Sequence, residues 1–204
     1  MTIACPSAIR HSRPPMALLR HDHAADVTLP SSLALQRLLP DPQFAARVDA
    51  SLATWMLHDG SLTDRLARAH GTVRVTPTRE GIGAPRSLEA RFLGAPAVGG
   101  WWIREITLAA GGMPRLRART LVPRGAIDLQ RRLRGLGSVP LGRVLFKGDR
   151  LRRNVIRGCR RFGRARDGAW LRLTRYRVEG EGLLVIERLL SSALGPDAET
   201  PDGR

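Results

Sequence analysis

The stretch WWIREITLAA, Trp101 to Ala110, has the length and the apolar side chains of a buried β-strand. Because successive side chains of a strand point to opposite faces, Arg104 points the same way as Trp102, Ile106 and Leu108. An unpaired charge among apolar side chains is costly. We therefore expect a compensating partner for this arginine, either elsewhere in the chain or in a bound ligand.

A second predicted strand shows the same pattern with the opposite charge. In LLVIERLL, Leu183 to Leu190, the carboxylate of Glu187 shares a face with Val185 and Leu189. Two interpretations stay open. In the first, Arg104 and Glu187 form a buried ion pair, or one of them reaches solvent at a sheet edge. In the second, Arg104 binds a substrate carboxylate through its two-pronged guanidinium, and a desolvated Glu187 takes part in proton transfer.

The predicted elements run from helices to hairpins, without the β-α-β alternation of a parallel sheet. Apolar spacing predicts a helix over 45–57, and Ser61 is the predicted N-cap of a helix over 62–69. Strands are expected over 72–80, 101–109, 115–123, 170–178 and 183–190, helices near 127 and 140, and an irregular basic segment over 147–168. The fold class is therefore α+β, with a single antiparallel sheet flanked by helices.

The charges of the first hairpin predict one wet side of the sheet. Arg115, Arg117 and Arg119 alternate with apolar residues along its second strand, so their face is expected to meet solvent. Glu105 lies on the opposite face of its strand from Arg104. We expect that carboxylate to be structural or at the surface.

Composition divides the chain into one domain and two tails. The first 42 residues are rich in Pro, Ser and His and have little periodicity, which predicts a disordered extension. Residues 43–195 are expected to form the single domain, and 196–204 a flexible tail. No apolar run approaches the roughly 18 residues of a membrane span, so membrane insertion is not expected.

The net charge of +16 raises the question of a nucleic-acid partner. The basic residues are almost all arginines, however, with Lys147 as the only lysine, and they are scattered rather than gathered in a stripe. A small anionic substrate would also benefit from a positive field. Cys5 lies in the predicted extension, so we expect no disulfide with Cys159, which is consistent with the cytoplasm. His21 and His23 have no nearby carboxylate or thiol, and no metal site is predicted.

Five segments in this order resemble the chorismate lyase (chorismate pyruvate-lyase) family. They are DGSLTDRL (59–66), WWIREITL (101–108), ARTLVP (118–123), LGSVPLGRVLF (136–146) and LLVIERLL (183–190). The resemblance covers about residues 45 to 194. It implies an antiparallel sheet flanked by helices, with a substrate cavity closed off from solvent. It also implies the first reaction of ubiquinone biosynthesis, in which chorismate loses its enolpyruvyl group as pyruvate and becomes 4-hydroxybenzoate, without metal or organic cofactor.

The resemblance places the family's functional residues on four positions of this sequence. Arg104 and Glu187 would be catalytic, and both would bind substrate together with Leu141 and, by a weaker match, Leu62. Arg104 would hold a carboxylate of the dianionic substrate, and Leu141 would act through its main chain or pack on the ring. Glu187, if protonated, would assist departure of the ether oxygen or protonate the enolpyruvyl group. Aromatisation drives the reaction, so the protein mainly orients the substrate and excludes water.

Two positions depart from the family pattern. Arg172 keeps the first arginine of the usual W-G-R-R-S segment, but Leu173 replaces the second, and Arg115 replaces a common tryptophan. Two alternatives to a monomeric lyase therefore stay open. One is a non-catalytic sensor of small carboxylates with the same fold, which would have no need for both Arg104 and Glu187. The other is a basic nucleic-acid-binding protein, which would bind DNA or RNA with strong salt dependence.

Overall fold

A six-stranded antiparallel sheet forms the centre of the protein, as the sequence predicts. The computed structural model describes residues 37–147 and 155–194. The strands are β1 (Val73–Gly83), β2 (Trp101–Ala110), β3 (Met113–Val122), β4 (Val155–Arg164), β5 (Trp170–Val178) and β6 (Glu181–Leu189), in the spatial order β1-β2-β3-β6-β5-β4. The helices are α1 (Asp41–Ala45), α2 (Ala50–Met56), α3 (Leu62–His70), α4 (Ser87–Leu93) and α5 (Ile127–Leu133), with a π-helical turn at Arg143–Lys147 and a 3-10 turn at Ser191–Ala193.

The strand register places Arg104 and Glu187 on the same face of the sheet. Arg104 of β2 lies opposite Thr120 of β3, and Glu187 of β6 lies opposite Ala118 of β3. Thr120 and Ala118 are two residues apart, so both point to one face. We call this face, which also carries Arg172 of β5, the pocket face.

The opposite face, which we call the back face, is covered by α4. Leu88, Phe92 and Leu93 of this helix pack with Trp101 and Leu173 of the sheet, and all five are buried. The sequence predicted a wet arginine face here, and that prediction is wrong. Arg119 is only 3% exposed because Glu89 of α4 lies over it.

Local signals explain most helix boundaries. Ser61 caps α3 as predicted, since its hydroxyl accepts a hydrogen bond from the Asp64 backbone N–H at 3.2 Å. The helix predicted over 45–57 begins later, as α2 at Ala50, and only Ala45 of the predicted range belongs to α1. Asp49 adopts an extended conformation and caps α2 by accepting from the Leu52 N–H at 2.8 Å, which separates α2 from α1.

The irregular segment predicted over 147–168 contains the edge strand β4. Its composition hid the alternation, because an edge strand bears charges on its open side and carries a bulge between Arg157 and Arg160. Phe162, fully buried, is its main apolar anchor and stacks on Phe44 at 3.9 Å between ring centroids.

The domain begins earlier than residue 43. Leu38 is buried in the core, Leu39 pairs with Phe162 as an isolated bridge, and Asp41 opens α1 and binds Arg160. Residues 38 to 41 therefore pack with the domain, ahead of its expected start. The exact bounds of the domain stay a prediction. Residues 1–36 and 195–204 lie outside the described residues, so their disorder stays a prediction.

Candidate active site

A pocket lies over the pocket face, between the sheet and the segments that begin α3 and precede the π-helical turn. The small side chains of Ala118, Thr120 and Val185 belong to its floor. Its apolar walls include Leu62, Ile106, Leu108, Leu116, Leu141 and Leu145. The cavity itself has a volume of about 50 Å³, and the space between its lining atoms, counted with the open solvent at its mouth, is about 530 Å³. The expected closure of the cavity from solvent stays a prediction.

Arg104 lies beside this pocket, next to Thr120 in the register, and is 1% exposed. One nitrogen, Nη2, donates to the carbonyl oxygens of Gly137 at 2.7 Å and Val139 at 3.0 Å. Nε and Nη1 are buried and make no hydrogen bond among the described residues. The nearest carboxylate oxygen of Glu80 is 3.9 Å from Nε, beyond hydrogen-bond distance.

Burial places Arg104 in an electrostatically unfavourable position. Desolvation lowers the pKa of its guanidinium, and the charge of Glu80 only partly opposes this effect. An arginine nevertheless stays protonated in proteins. A buried cation with two unused donor atoms is stabilised when an anion binds to it.

Glu187 pairs with Arg172, not with Arg104. The Arg172 Nε and Nη2 atoms lie 2.7 and 2.6 Å from Glu187 Oε2. The structure therefore does not show the direct Arg104–Glu187 ion pair of the first interpretation, and the strand order explains why. Arg172 lies directly opposite Glu187 on the neighbouring strand, whereas β3 separates Arg104 from it.

Arg104 and Glu187 lie on opposite sides of β3, at separate positions on the pocket face. Two strand spacings and an offset of two residues put the Cα atoms of Arg104 and Glu187 about 12 Å apart. Ala118, Thr120 and Val185 fill the interval with small side chains. A cation with open donors thus lies on one side of the pocket floor and a carboxylate on the other.

Arg172 lines the pocket but is not among the four predicted site residues. It matches an arginine of the family motif, but only the strand pairing shows which residues it contacts. Besides Glu187, its Nη1 donates to the carbonyl oxygens of His58 at 2.9 Å and Met56 at 3.4 Å. It therefore links β5 and β6 to the turn between α2 and α3.

Tyr176, also missed, lines the pocket two residues along β5 from Thr174. Burial raises the pKa of Tyr176 to about 12, and the negative charge of Glu187 adds to the rise. Its hydroxyl is therefore neutral near pH 7. Alternation along β5 was the available signal, because residues 172, 174 and 176 share a face.

The two departures from the family pattern lie outside the pocket. Leu173 is fully buried in the core on the back face, among apolar side chains. Arg115 also points away from the pocket face, and its Nε donates to the carbonyl oxygen of Ala110 at 3.0 Å across the β2–β3 turn. Neither residue contributes a lining side chain.

The described residues contain no cluster of three potential metal ligands. Within the same ranges, none of the helices is both long enough and apolar enough to cross a membrane. His70, the last residue of α3, stacks on Trp55 and contacts the carbonyl oxygen of Ala193 at 2.9 Å. It therefore belongs to the packing of α3.

Comparison with known proteins identifies relatives over most of the chain. The chorismate pyruvate-lyase of Erwinia tasmaniensis is 38% identical over 156 residues, covering 76% of this chain and 86% of the relative. The protein of the same name from Shigella sonnei is 35% identical over 147 residues, covering 72% and 86%. Among solved structures, the effector-binding domain of the Bacillus subtilis trehalose repressor covers 64% of this chain and 99% of its own, with a TM-score of 0.44 and 11% identity. That likeness is too distant to indicate a function.

The part of the chain that matches a protein family contains the whole described fold. A profile described as Chorismate lyase matches residues 38–196. This range contains the whole sheet, all five helices and every residue of the pocket. The chain belongs to the chorismate lyase family.

Proposed function

We propose that this protein is a chorismate pyruvate-lyase, which converts chorismate to pyruvate and 4-hydroxybenzoate at the start of ubiquinone biosynthesis. Its family membership makes it a lyase. One observation carries the proposal. Leu62, Leu141 and Glu187, from three distant segments, line a single pocket, and Arg104 lies beside it on the same face of the sheet.

The reaction asks mainly for orientation. The bond between the ring and the enolpyruvyl oxygen breaks, the adjacent ring carbon gives up a proton, and the enolpyruvate takes up a proton to become pyruvate. Aromatisation of the ring supplies the driving force. The apolar walls of the pocket exclude water from the reacting bonds and hold the ring in one orientation.

Arg104 supplies the carboxylate site. Its Nη1, which makes no hydrogen bond among the described residues, has the charge and the N–H groups to bind a carboxylate oxygen. The ring carboxylate of chorismate, which is retained in 4-hydroxybenzoate, is the group we assign to it. Leu62 and Leu141 then pack on the faces and edge of the ring.

Glu187 supplies a hydrogen-bond acceptor at the other side of the floor. Both contacts with Arg172 fall on one oxygen, Oε2, so Oε1 lies outside this ion pair. A carboxyl oxygen accepts hydrogen bonds. We therefore assign Glu187 to the ring hydroxyl, which lies opposite the carboxylate in the product. The role expected of a protonated Glu187 stays a prediction.

Cellular location and assembly are part of this proposal. A cytoplasmic location is the one that we propose for the enzyme. That the enzyme works as a monomer stays a prediction.

A turnover assay on the purified protein tests the proposal. Chorismate is supplied without added metal, pyruvate is followed by its enzymatic reduction, and 4-hydroxybenzoate is quantified by chromatography. We expect stoichiometric formation of both products. Glu187→Gln should lower kcat by about 100-fold. Glu105→Gln, a matched change on the back face of the neighbouring hairpin, should lower it by less than about threefold.

Two results would contradict the proposal. Folded wild-type protein that binds 4-hydroxybenzoate without turning over chorismate would favour the carboxylate sensor. A protein that ignores both compounds but binds DNA or RNA with a steep salt dependence would favour the nucleic-acid alternative.

A further inference from the structure

Arg172 makes contacts in two directions from one buried guanidinium. Nε and Nη2 face Glu187 on β6, and Nη1 faces the carbonyl oxygens of Met56 and His58. Its side chain is 4% exposed, so these contacts form almost out of water. The single side chain therefore fixes the position of a carboxylate in the pocket floor relative to the end of α2.

The anchored turn leads directly into the roof of the pocket. Gly60, Ser61, Leu62 and Thr63 line the pocket, and α3 begins at Leu62. The two carbonyl oxygens that Arg172 holds lie only a few residues before these positions. Moving the turn would therefore displace Leu62 relative to Glu187, and with it the orientation of a bound ring.

We propose that Arg172 is a positioning residue of the lyase reaction, which keeps Glu187 aligned with the roof formed at Leu62. The inference rests on the proposed function and assigns a role that acts through Glu187. Arginine suits this role because its planar group presents donors in several fixed directions. A lysine would keep the charge but present a single ammonium to both partners.

The other charged or titratable groups around Glu187 do not replace this effect. From β5, Tyr176 is neutral, since burial raises its pKa to about 12. From the turn, the pKa of His58 is lowered by burial and by the charges of Arg65 and Arg172, so this ring is uncharged near pH 7. Arg104 lies beyond β3, whose pocket-face residues Ala118 and Thr120 carry no charge. Among these groups, the guanidinium of Arg172 is thus the one in hydrogen-bond contact with Glu187.

Arg160 provides a matched control on β4. Its Nη1 donates to the Leu57 carbonyl oxygen and to Asp59, both at 2.9 Å, so it also ties the sheet to this turn. It lies in the register beside Thr174 and does not line the pocket. Its loss should loosen the same turn without changing the charge next to Glu187.

The test compares wild type, Arg172→Gln, Arg172→Lys and Arg160→Gln in the full chain. For each protein we measure the thermal midpoint, and kcat and KM for chorismate. Arg172→Gln should lower kcat by about 100-fold while changing KM much less. Arg172→Lys, which keeps a donor next to Glu187, should recover part of kcat. Arg160→Gln, which leaves the contacts of Arg172 in place, should lower kcat by less than about threefold.

Three outcomes would overturn the proposal. The first is folded Arg172→Gln with the kcat of wild type. The second is an equal loss of kcat in Arg160→Gln, which would make the effect one of turn stability. If Arg172→Gln does not fold, a Lys variant with wild-type kcat would overturn the proposal. Absence of turnover in the wild type itself would instead refute the lyase function on which the inference rests, and that outcome is separately visible.

Discussion

Two buried arginines on adjacent strands of one sheet differ in how many of their hydrogen-bond donors have a partner. On the back face, Arg119 is 3% exposed and all three of its nitrogens are engaged. Nε and Nη2 lie 3.0 and 3.2 Å from the two oxygens of Glu89, and Nη1 binds Glu105. On the pocket face, Arg104 is 1% exposed, yet only Nη2 makes hydrogen bonds.

The difference separates structure from function. A buried arginine whose donors are saturated by the protein's own carboxylates holds two elements together, here α4 and the sheet. In a buried arginine with unused donors, the desolvation cost of those donors is not offset unless a ligand supplies the missing acceptors. Burial of charge alone therefore does not mark an active site, whereas incomplete pairing of a buried charge beside a pocket does.

The largest expected effect is on catalysis, from Arg104→Met. Removing a buried charge that binds a substrate carboxylate should lower kcat/KM for chorismate by about 1,000-fold. The free energy of unfolding should change by no more than about 1 kcal/mol, because the substitution also removes two unpaired buried donors. Steady-state kinetics and urea unfolding measure the two quantities. Loss of stability with normal kcat/KM would show that Arg104 has a structural role and does not bind the substrate.

Arg119→Met should have the opposite balance. It leaves Glu89, which is fully buried, without its guanidinium partner, and should cost about 3 to 5 kcal/mol of unfolding free energy. Measured below the unfolding transition, kcat should stay within about twofold of wild type, as Arg119 faces away from the pocket. Urea denaturation gives the stability. A drop in kcat at unchanged stability would mean that the back face takes part in the reaction.

A smaller effect on stability is expected at alkaline pH, from the titration of the buried Tyr176 on the pocket face. The folded pKa of about 12 lies above the ordinary value of about 10, so the native state retains a proton that the unfolded state loses. The resulting stability is complete below pH 10 and is lost as pH rises to 12, by about 3 kcal/mol. Tyr176 is the chain's only tyrosine, so tyrosinate absorbance reports it directly.

The expected titration midpoint is near pH 12. A midpoint near pH 10 in folded protein would show that solvent reaches the phenol and that this side of the pocket is wet. Tyr176→Phe serves as the control, because it should lack both the absorbance change and this part of the alkaline loss of stability.

The smallest effect is predicted for Arg115→Trp, which restores the residue common in the family. Arg115 makes one hydrogen bond to Ala110 on the side of the sheet away from the pocket. Unfolding free energy should change by about 0.5 kcal/mol or less, and kcat by less than about twofold. An increase in kcat of tenfold or more would show that this position reaches the site in a way that the strand register does not indicate.

Local patterns predicted much of this fold. Alternation identified β2, β3, β5 and β6, and the Ser61 cap located α3, since these signals depend on neighbouring residues alone. The strand β4 was missed because charges on its edge and a bulge masked its alternation. The wet face predicted for Arg119 was wrong because α4, about 30 residues earlier in the chain, covers it.

The candidate site was predicted in its residues but not in its pairing. Arg104 and Glu187 were selected from their apolar neighbours, and the family motifs added Leu62 and Leu141. Strand order decides the rest. With β3 between β2 and β6, Glu187 takes Arg172 as its partner, and Arg104 remains open.

The central claim is that the open arginine, not the saturated one, binds the ligand. Isothermal titration of 4-hydroxybenzoate into wild type, Arg104→Met and Arg119→Met tests it most directly. We expect similar Kd values for wild type and Arg119→Met, and a Kd about 100-fold higher for Arg104→Met, equivalent to the loss of charge-assisted hydrogen bonds. Equal affinity of Arg104→Met and wild type, or weaker binding caused by Arg119→Met instead, would contradict the claim.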